Sequence, residues 1–243
     1  MKPRSWRFWV VLLATATTLV VTASLGLWQM GRAAQKQALF ERIERRGQEP
    51  WLTTEALSRA QDLDALLHRK AGVQGRWVPQ HTVFLDNRQM NAIPGFFVIT
   101  PLQLQGSDRY ILVQRGWVPR DFHDRTRLPK VPTPTDNPVA VEGRLSPWPA
   151  KLYELGQAGL GPIRQNIDIE AFSAETGLNL LDVSILQTGP DLGDGLLREW
   201  PRIESGVAKH HGYAFQWFGL CALTAALFVW FQLIAPRRKP TSP

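Results

Sequence analysis

The chain has 243 residues, of which 20% are charged and 44% are hydrophobic, a composition that excludes a disordered charged protein. Its single cysteine, Cys221, excludes an internal disulfide framework, a cysteine-based zinc finger and a CxxC redox site. The net charge of +7 comes mostly from the two chain ends, because the middle of the chain has 22 basic against 21 acidic residues. Nucleic acid is therefore not an expected partner.

Two long stretches without charge predict two transmembrane helices. Residues 8–31 and 212–236 contain no charged residue, and a helix of the first stretch would be about 36 Å long, against about 30 Å of hydrocarbon. Basic residues precede the first stretch and follow the second, which places both termini in the cytoplasm. A signal peptide cleaved near residues 21–23 is the alternative interpretation of the N-terminus.

Further helices are predicted next to and after the first span. Small residues recur every four positions at Ala14, Thr18, Thr22 and Gly26, a spacing that favours close packing against the second span. The helical pattern continues beyond the span until Gly47 and Pro50. A second helix is expected over residues 55–69, with Thr53 or Thr54 as its N-cap.

Short apolar runs then predict a β-rich domain. Residues 96–102 and 110–118 are nearly continuous apolar runs, whereas Leu181, Val183 and Ile185 alternate with Asp182 and Ser184, as in a half-buried strand. Strands are expected at residues 73–78, 82–88, 96–102, 110–118, 139–145 and 181–185, with a turn at 106–108. Asp168 is positioned to cap a short helix that stops at Gly177. Proline-rich residues 127–138 predict a stiff loop, and residues 189–195 a surface loop.

The predicted fold class is an α+β membrane protein. A first transmembrane helix (8–31) and a second one (212–235) flank an extracytoplasmic, mostly antiparallel β-rich domain (32–209). The lipid bilayer is thus an expected partner.

Motifs for catalysis are absent from the sequence. It contains no GxSxG, HExxH or GxGxxG motif. Cys221 lies within the second apolar stretch, where it has neither water nor a neighbouring base. His68, His81 and His123 are scattered without the spacing of metal ligands. We therefore expect no enzymatic activity.

Two adjacent histidines stand where the chain enters the second apolar stretch. At about 100° per residue, one helix face carries His210, Tyr213, Ala214, Trp217 and Cys221. A neutral imidazole at an apolar boundary is a suitable axial ligand for haem iron. The alternative is an interfacial belt, because His, Tyr and Trp favour this depth through solvation alone.

Several segments resemble, in order and over nearly the whole chain, the Surfeit-locus-1 family of cytochrome oxidase assembly factors. The matching segments are Leu-Gly-Leu-Trp-Gln (25–29) with Arg32, Leu-Asp-Asn-Arg (85–88) before Gly95 and Thr-Pro-Leu (100–102), Val-Gln-Arg-Gly-Trp-Val-Pro (113–119), Val-Glu-Gly-Arg-Leu (141–145), and His-His-Gly-Tyr-Ala (210–214) with Trp217 and Phe218. Each motif is weak, whereas the ordered set is specific.

This resemblance implies a non-enzymatic assembly factor of the bacterial inner membrane, with a periplasmic central domain. Such a protein binds haem a transiently and assists its insertion into the large subunit of a haem–copper oxidase; haem a synthase is a further candidate partner. The histidine three residues before the family's tyrosine corresponds to His210, which the resemblance implies as the axial ligand of iron. His211 is the second choice, and Tyr213 and Trp217 would lie beside the haem. The alternative is a scaffold that stabilises oxidase intermediates without haem.

The remaining motif residues are expected to have structural roles. They are Trp28, Gln29 and Arg32 in the first helix, and Arg115, Gly116 and Trp117 in a strand. Gly116 would provide backbone freedom and Trp117 packing. For Arg115 we expect a structural role rather than a contact with haem or a partner.

Overall fold

The computed structural model describes residues 6–124, 127–153, 161–189, 193–200 and 206–235. The chain divides into two compact units, residues 1–42 with 203–243, and residues 43–202. The first unit is a pair of long helices and the second is a β-rich domain. The basic residues used to predict the topology lie outside the described residues, except Arg7.

The helical unit consists of α1 (Trp6–Gly47) and α4 (Val207–Phe228), which continues as a π-helical segment (Val229–Ile234). Both are long and apolar enough to cross a membrane. With 42 residues, α1 is about 63 Å long and exceeds the thickness of a bilayer core. The prediction that this helix continues past residue 31 and ends at Gly47 is confirmed.

The two helices of this unit run antiparallel. The rings of Phe8 and Phe228 lie 6.3 Å apart near one end, and the thiol of Cys221 lies 3.7 Å from the carbonyl oxygen of Leu19. Shielded residues of α1 alternate in steps of four and three: Phe8, Leu12, Thr15, Leu19, Thr22, Gly26, Gln29 and Ala33. Those of α4 follow the same period: Val207, His210, Ala214, Trp217, Cys221, Thr224 and Phe228. We call these two rows the seam; their period of 3.5 residues is typical of left-handed helix pairs.

The predicted stripe of small residues is only half correct. Thr22 and Gly26 are buried, and Gly26 lies under the ring of Phe218, but Ala14 and Thr18 are exposed. A strict four-residue spacing advances by about 400° per step, so that it drifts off a helix face within two steps. The seam keeps its face because a step of four alternates with a step of three.

The second unit is a closed β-barrel with an extension. The described residues form seven strands: β1 (Lys70–Trp77), β2 (Val83–Met90), β3 (Ile93–Leu104), β4 (Arg109–Pro119), β5 (Val139–Ser146), β6 (Ile163–Arg164) and β7 (Asn179–Gln187). The ring runs β1–β5–β7–β4–β3 and closes through pairing of β3 with β1, while β2 and β6 continue from β3. Among the described strands, β4–β7 and β2–β6 are the parallel pairs and the others are antiparallel. The predicted β-rich, mostly antiparallel domain between two apolar helices is confirmed.

Two short α-helices and two 3₁₀ turns (Asp64–Leu66 and Pro79–His81) accompany the barrel among the described residues. In α2 (Thr54–Arg59), the predicted cap Thr53 accepts a hydrogen bond from the amide of Ala56 at 3.3 Å. Helix α3 (Ile169–Thr176) begins after Asp168 and ends at Gly177, which is left-handed with φ of 70°, as predicted. Both caps follow from side-chain chemistry that a local sequence already contains.

The structure corrects two local predictions. Helix α2 ends at Arg59 and not at residue 69. The guanidinium of Arg109 donates hydrogen bonds to the carbonyl oxygens of Ser58 and Ala60 at 2.9 and 3.2 Å, in place of the amides of a further helical turn. Ser184, which the alternation with Leu181, Val183 and Ile185 places on the exposed face of its strand, is buried. Its hydroxyl accepts a hydrogen bond from Gln114 at 2.8 Å, which compensates for the loss of water.

The turn between β2 and β3 carries backbone strain that a substitution can test. Its two residues, Asn91 and Ala92, both have positive φ, of 52° and 62°. A left-handed alanine costs about 1–2 kcal/mol, whereas glycine at this position adds only about 0.4–1 kcal/mol of unfolded-state entropy. Ala92→Gly should therefore stabilise the barrel by about 0.5–1 kcal/mol, measured by hydrogen exchange of barrel amides in the full chain.

The matched control is Ala140→Gly, at an exposed position within β5. There the strand needs no positive φ, so glycine should destabilise by about 0.5–1 kcal/mol. Equal effects of the two substitutions would contradict the strain assigned to Ala92.

Candidate functional site

The histidine singled out by the sequence lies on the seam of the helical pair and has a specific partner there. The Nδ1 atom of His210 is 2.7 Å from Oε1 of Gln29 on α1. Both side chains are half-buried. The sequence assigned Gln29 only to the framework of a motif, whereas the structure brings it to the imidazole.

The other ring nitrogen of His210, Nε2, has no hydrogen-bond partner among the described residues. When Oε1 of Gln29 accepts a hydrogen bond from Nδ1–H, the neutral imidazole carries its lone pair on Nε2. This is the form in which histidine binds a metal ion. His210 thus has one ring nitrogen held by Gln29 and one without a hydrogen-bond partner among the described residues.

The neighbours predicted for this site are only partly assembled on the seam. Trp217 is half-buried two turns along α4 on the same row. Tyr213 lies at the edge of that row with 53% of its surface exposed. Trp28, which precedes Gln29, is 57% exposed, and His211 is exposed. The seam and its rim therefore present aromatic side chains around His210.

Positive charges surround the segment of the helical pair that follows Gln29. Arg32, Lys36 and Lys209 are all exposed, and no acidic residue occurs in residues 29–40 of α1. The ammonium of Lys36 reaches α4, lying 3.4 Å from the point where a side chain on Gly206 would begin. Arg32 donates a 3.4 Å hydrogen bond to Gln35 and keeps its charge outside the seam. This end of the pair favours anionic groups.

The motif residues of the barrel form a separate structural cluster. The indole nitrogen of Trp117 donates a 2.8 Å hydrogen bond to the carbonyl oxygen of Arg88. Gly95 lies directly under the Trp117 ring, where a Cβ atom would come within 2.5 Å of it. Arg88 in turn donates to the carbonyl oxygens of Ala150 and Gln165 at 2.8 and 2.9 Å. Segments far apart in the sequence are thereby tied together.

Gly116 is needed for a different reason than the one predicted. Its φ is not positive, so no special backbone freedom is used. A Cβ on Gly116 would instead come within 2.7 Å of the Leu196 side chain and 2.9 Å of the carbonyl oxygen of Leu197. Glycine allows the segment at Leu197 to approach and pair with Trp117.

Arg115 is buried beside β7, as the residue that bulges out of β4 between Gln114 and Gly116. Its guanidinium donates to the hydroxyl of Thr133 at 2.6 Å and to the carbonyl oxygen of Pro132 at 2.9 Å. It also lies 4.9 Å from the centre of the Trp77 ring. Each of these contacts connects parts of the barrel to one another.

The charge of Arg115 is balanced by Asp194, which Arg198 shares. The carboxylate of Asp194 lies 3.4 Å from Arg115 and 2.6 Å from Arg198, and all three side chains are at most 7% exposed. Burial lowers the pKa of Arg115, while the charge of Asp194 raises it and that of Arg198 lowers it further. The prediction that residues 189–195 form a surface loop fails at Asp194, because its ion pairs hold it inside; residues 190–192 lie outside the described part.

A cavity of about 360 Å³ adjoins this ion cluster, lined by Trp77, Arg115, Pro132, Val141 and Gln187, among others. Its described lining contains no histidine, cysteine, serine or lysine. No group of three or more potential metal-binding His, Cys, Asp or Glu side chains occurs among the described residues. The described lining therefore contains no hydroxyl, thiol or amine nucleophile.

The buried ion cluster generates a test of the barrel's stability. Asp194→Ala leaves two buried guanidinium groups without their carboxylate and should cost about 3–5 kcal/mol. The loss should show as a lower urea midpoint of the full chain in mild detergent, and Asp194→Ala with Arg198→Met should recover part of it. The control Lys151→Met breaks the exposed pair with Asp168 and should cost less than about 1 kcal/mol. Equal losses in the two single variants would contradict the burial of the cluster.

Two functional features escaped the sequence analysis. The role of Gln29 was missed, although the sequence contains a signal for it. Gln29 is the last strongly polar residue of the first apolar stretch, and a shielded amide there needs a hydrogen-bond partner. Asp194 gave no comparable signal, because an aspartate between two glycines is typical of an exposed turn.

Comparison with known proteins agrees with the resemblance seen in the motifs. The model of the SURF1 family matches residues 16–222. A SURF1-like protein of Rickettsia felis is 26% identical over 229 residues, which cover 92% of this chain and 96% of the relative. A SURF1-like protein of Rickettsia bellii is 25% identical over 222 residues, 89% of this chain and 88% of the relative. Surfeit locus protein 1 of Arabidopsis thaliana is 32% identical over 117 residues, covering 44% of this chain and 33% of the relative. The chain belongs to the SURF1 family.

Proposed function

We propose that this protein is a membrane-anchored, non-enzymatic assembly factor that binds haem a and assists its insertion into the large subunit of a haem–copper oxidase. The observation that carries the proposal is the state of His210. One ring nitrogen is engaged by Gln29, and the other has no partner among the described residues, at the rim of an apolar helical pair. Membership of the SURF1 family supports the same function.

Membrane anchoring is supported by the outward surfaces of the two helices. Large apolar side chains remain exposed around both: Trp9, Val10, Leu13, Val20, Leu27, Phe215, Leu220, Leu223, Leu227, Trp230 and Phe231. A helix that is apolar on all sides needs a lipid environment or burial in protein. Because α1 packs on α4 from Phe8 onward, we propose that it is retained as an anchor rather than removed as a signal peptide. The organisation is then an inner-membrane protein with cytoplasmic termini and a periplasmic barrel.

The helical pair suits the chemistry of haem a as cargo. Haem a has an apolar macrocycle with a long isoprenoid tail, and two propionates at its edge. Arg32 and Lys36 follow Gln29 on α1 and Lys209 precedes His210 on α4. Their positive charges would stabilise the propionates. Trp217 and Tyr213 supply aromatic surface beside the imidazole, and lipid would accommodate the tail.

Transfer to an oxidase requires that the cargo be released. A single axial ligand, His210, would leave the other side of the haem open. The adjacent His211 is exposed and not on the seam, so it would not close that side. Haem a synthase, the further candidate partner, would deliver the haem to the same open side. The protein itself contributes position and one coordinating nitrogen, so that no bond of the porphyrin has to be made or broken.

The test is an absorption spectrum of the full chain, purified in mild detergent from cells that also make haem a. The unmodified protein and His211→Ala should carry a haem a spectrum, and His210→Ala should lose it, because only His210 is held by Gln29 on the seam. His211→Ala is the matched control, since it removes an adjacent imidazole that is exposed.

Two outcomes would contradict the proposal in different ways. Undiminished haem a in His210→Ala would refute the ligand. An unmodified protein without haem, although haem a is present in the same membranes, would favour the haem-independent scaffold.

A further inference from the structure

We infer that Gln29 is the positioning residue of the haem site: it holds the Nδ1–H of His210 and thereby fixes the ring with its lone pair on Nε2. This inference rests on the proposed function and adds to it a residue on the opposite helix. The observation is the 2.7 Å contact between Oε1 of Gln29 and Nδ1 of His210. That distance is typical of a well-formed hydrogen bond.

The position of both residues makes the contact necessary. Each belongs to the seam, where its neighbours along the row are Gly26 and Ala33 on α1 and Ala214 on α4. An amide or imidazole partly shielded among such residues loses part of its contact with water, which favours a hydrogen bond to a protein partner. Among the described residues each of the two groups has only the other.

The direction of the hydrogen bond determines which nitrogen can bind iron. A carboxamide oxygen can only accept, so a ring nitrogen that faces Oε1 must carry the proton. A neutral imidazole has a single N–H, and Nε2 is then free to coordinate. Free neutral imidazole side chains favour the opposite tautomer, with the proton on Nε2, so Gln29 changes which nitrogen is available.

The same geometry separates His210 from its neighbour. No hydrogen bond to the His211 ring occurs among the described residues, and His211 is exposed. Its tautomer and ring orientation are left to solvent or lipid headgroups. Metal-binding histidines commonly donate their second ring N–H to an acceptor of the protein, and loss of that acceptor typically weakens metal binding by about 10–100-fold.

Selective ¹⁵N labelling of histidine tests the hydrogen bond in the haem-free full chain in micelles. The ¹⁵N shifts of His210 should report the Nδ1–H tautomer, and Gln29→Leu should convert it to the Nε2–H tautomer. Gln29→Glu keeps an accepting oxygen and should preserve the Nδ1–H form. The control Gln216→Leu removes an exposed amide from α4 and should leave His210 unchanged.

The same four proteins are then loaded with haem a. Gln29→Leu should bind about 10–100-fold more weakly, while Gln29→Glu and Gln216→Leu should bind at close to the unmodified level. Circular dichroism confirms that each variant keeps its helices. If Gln29→Leu does not fold, Gln29→Glu still tests the inference, because loss of the Nδ1–H form in that variant would contradict the role of the accepting oxygen.

The outcomes separate this inference from the proposed function. An Nε2–H tautomer in the unmodified protein, or equal haem affinity in Gln29→Leu, would overturn the role of Gln29 alone. An unmodified protein that shows the Nδ1–H tautomer but binds no haem a would overturn the proposed function and, with it, Gln29 as support for a ligand.

Discussion

The helical pair depends on one constraint: two polar groups, the Gln29 amide and the His210 imidazole, must satisfy each other on a seam that is otherwise made of apolar and small residues. A hydrogen bond of 2.7 Å meets this constraint, and it fixes the level at which α1 and α4 face each other. The alternating steps of three and four residues then carry the same register to Phe8 and Phe228. Because His210 and Gln29 stand on different helices, their hydrogen bond exists only while the two helices are packed together.

In the barrel, the motif residues have structural roles: they connect strands and allow chain segments to approach closely. Trp117 connects β4 to β2 through the carbonyl oxygen of Arg88, and Gly95 and Gly116 leave the room that this indole and the chain at Leu197 occupy. The bulge at Arg115 places a guanidinium inside, where Asp194 balances its charge. Such a buried cluster costs desolvation, and removal of one partner leaves an uncompensated buried charge. Family motifs therefore mark two kinds of residue, those that would meet the cargo and those that hold the domain together.

The sequence predicts elements whose signals are local, and it fails where distant residues decide. Every predicted strand is present. Strands β1 and β5 alternate between core and surface, whereas β3 and β4 are buried along most of their length and are nearly continuous apolar runs in the sequence. Asp168 and Gly177 bound a helix by side-chain and backbone chemistry alone. The predicted helix over residues 55–69 is wrong because Arg109, about fifty positions away, captures its carbonyl groups. Ser184 and Asp194 are buried through partners on other strands or loops. His210 was found from its neighbours on one helix, whereas the role of Gln29 required the pairing of two.

The central claim is that His210 is the axial ligand of haem iron, and the most direct test is to identify that ligand by spectroscopy. Resonance Raman spectra of the haem-loaded, ferrous full chain would be compared with and without ¹⁵N-labelled histidine, in the unmodified protein and in His210→Ala. The account predicts an iron–histidine stretching band that shifts with the label and is absent from His210→Ala. A band that persists in His210→Ala, or a haem without any label-sensitive band, would contradict the assignment of His210 as the ligand.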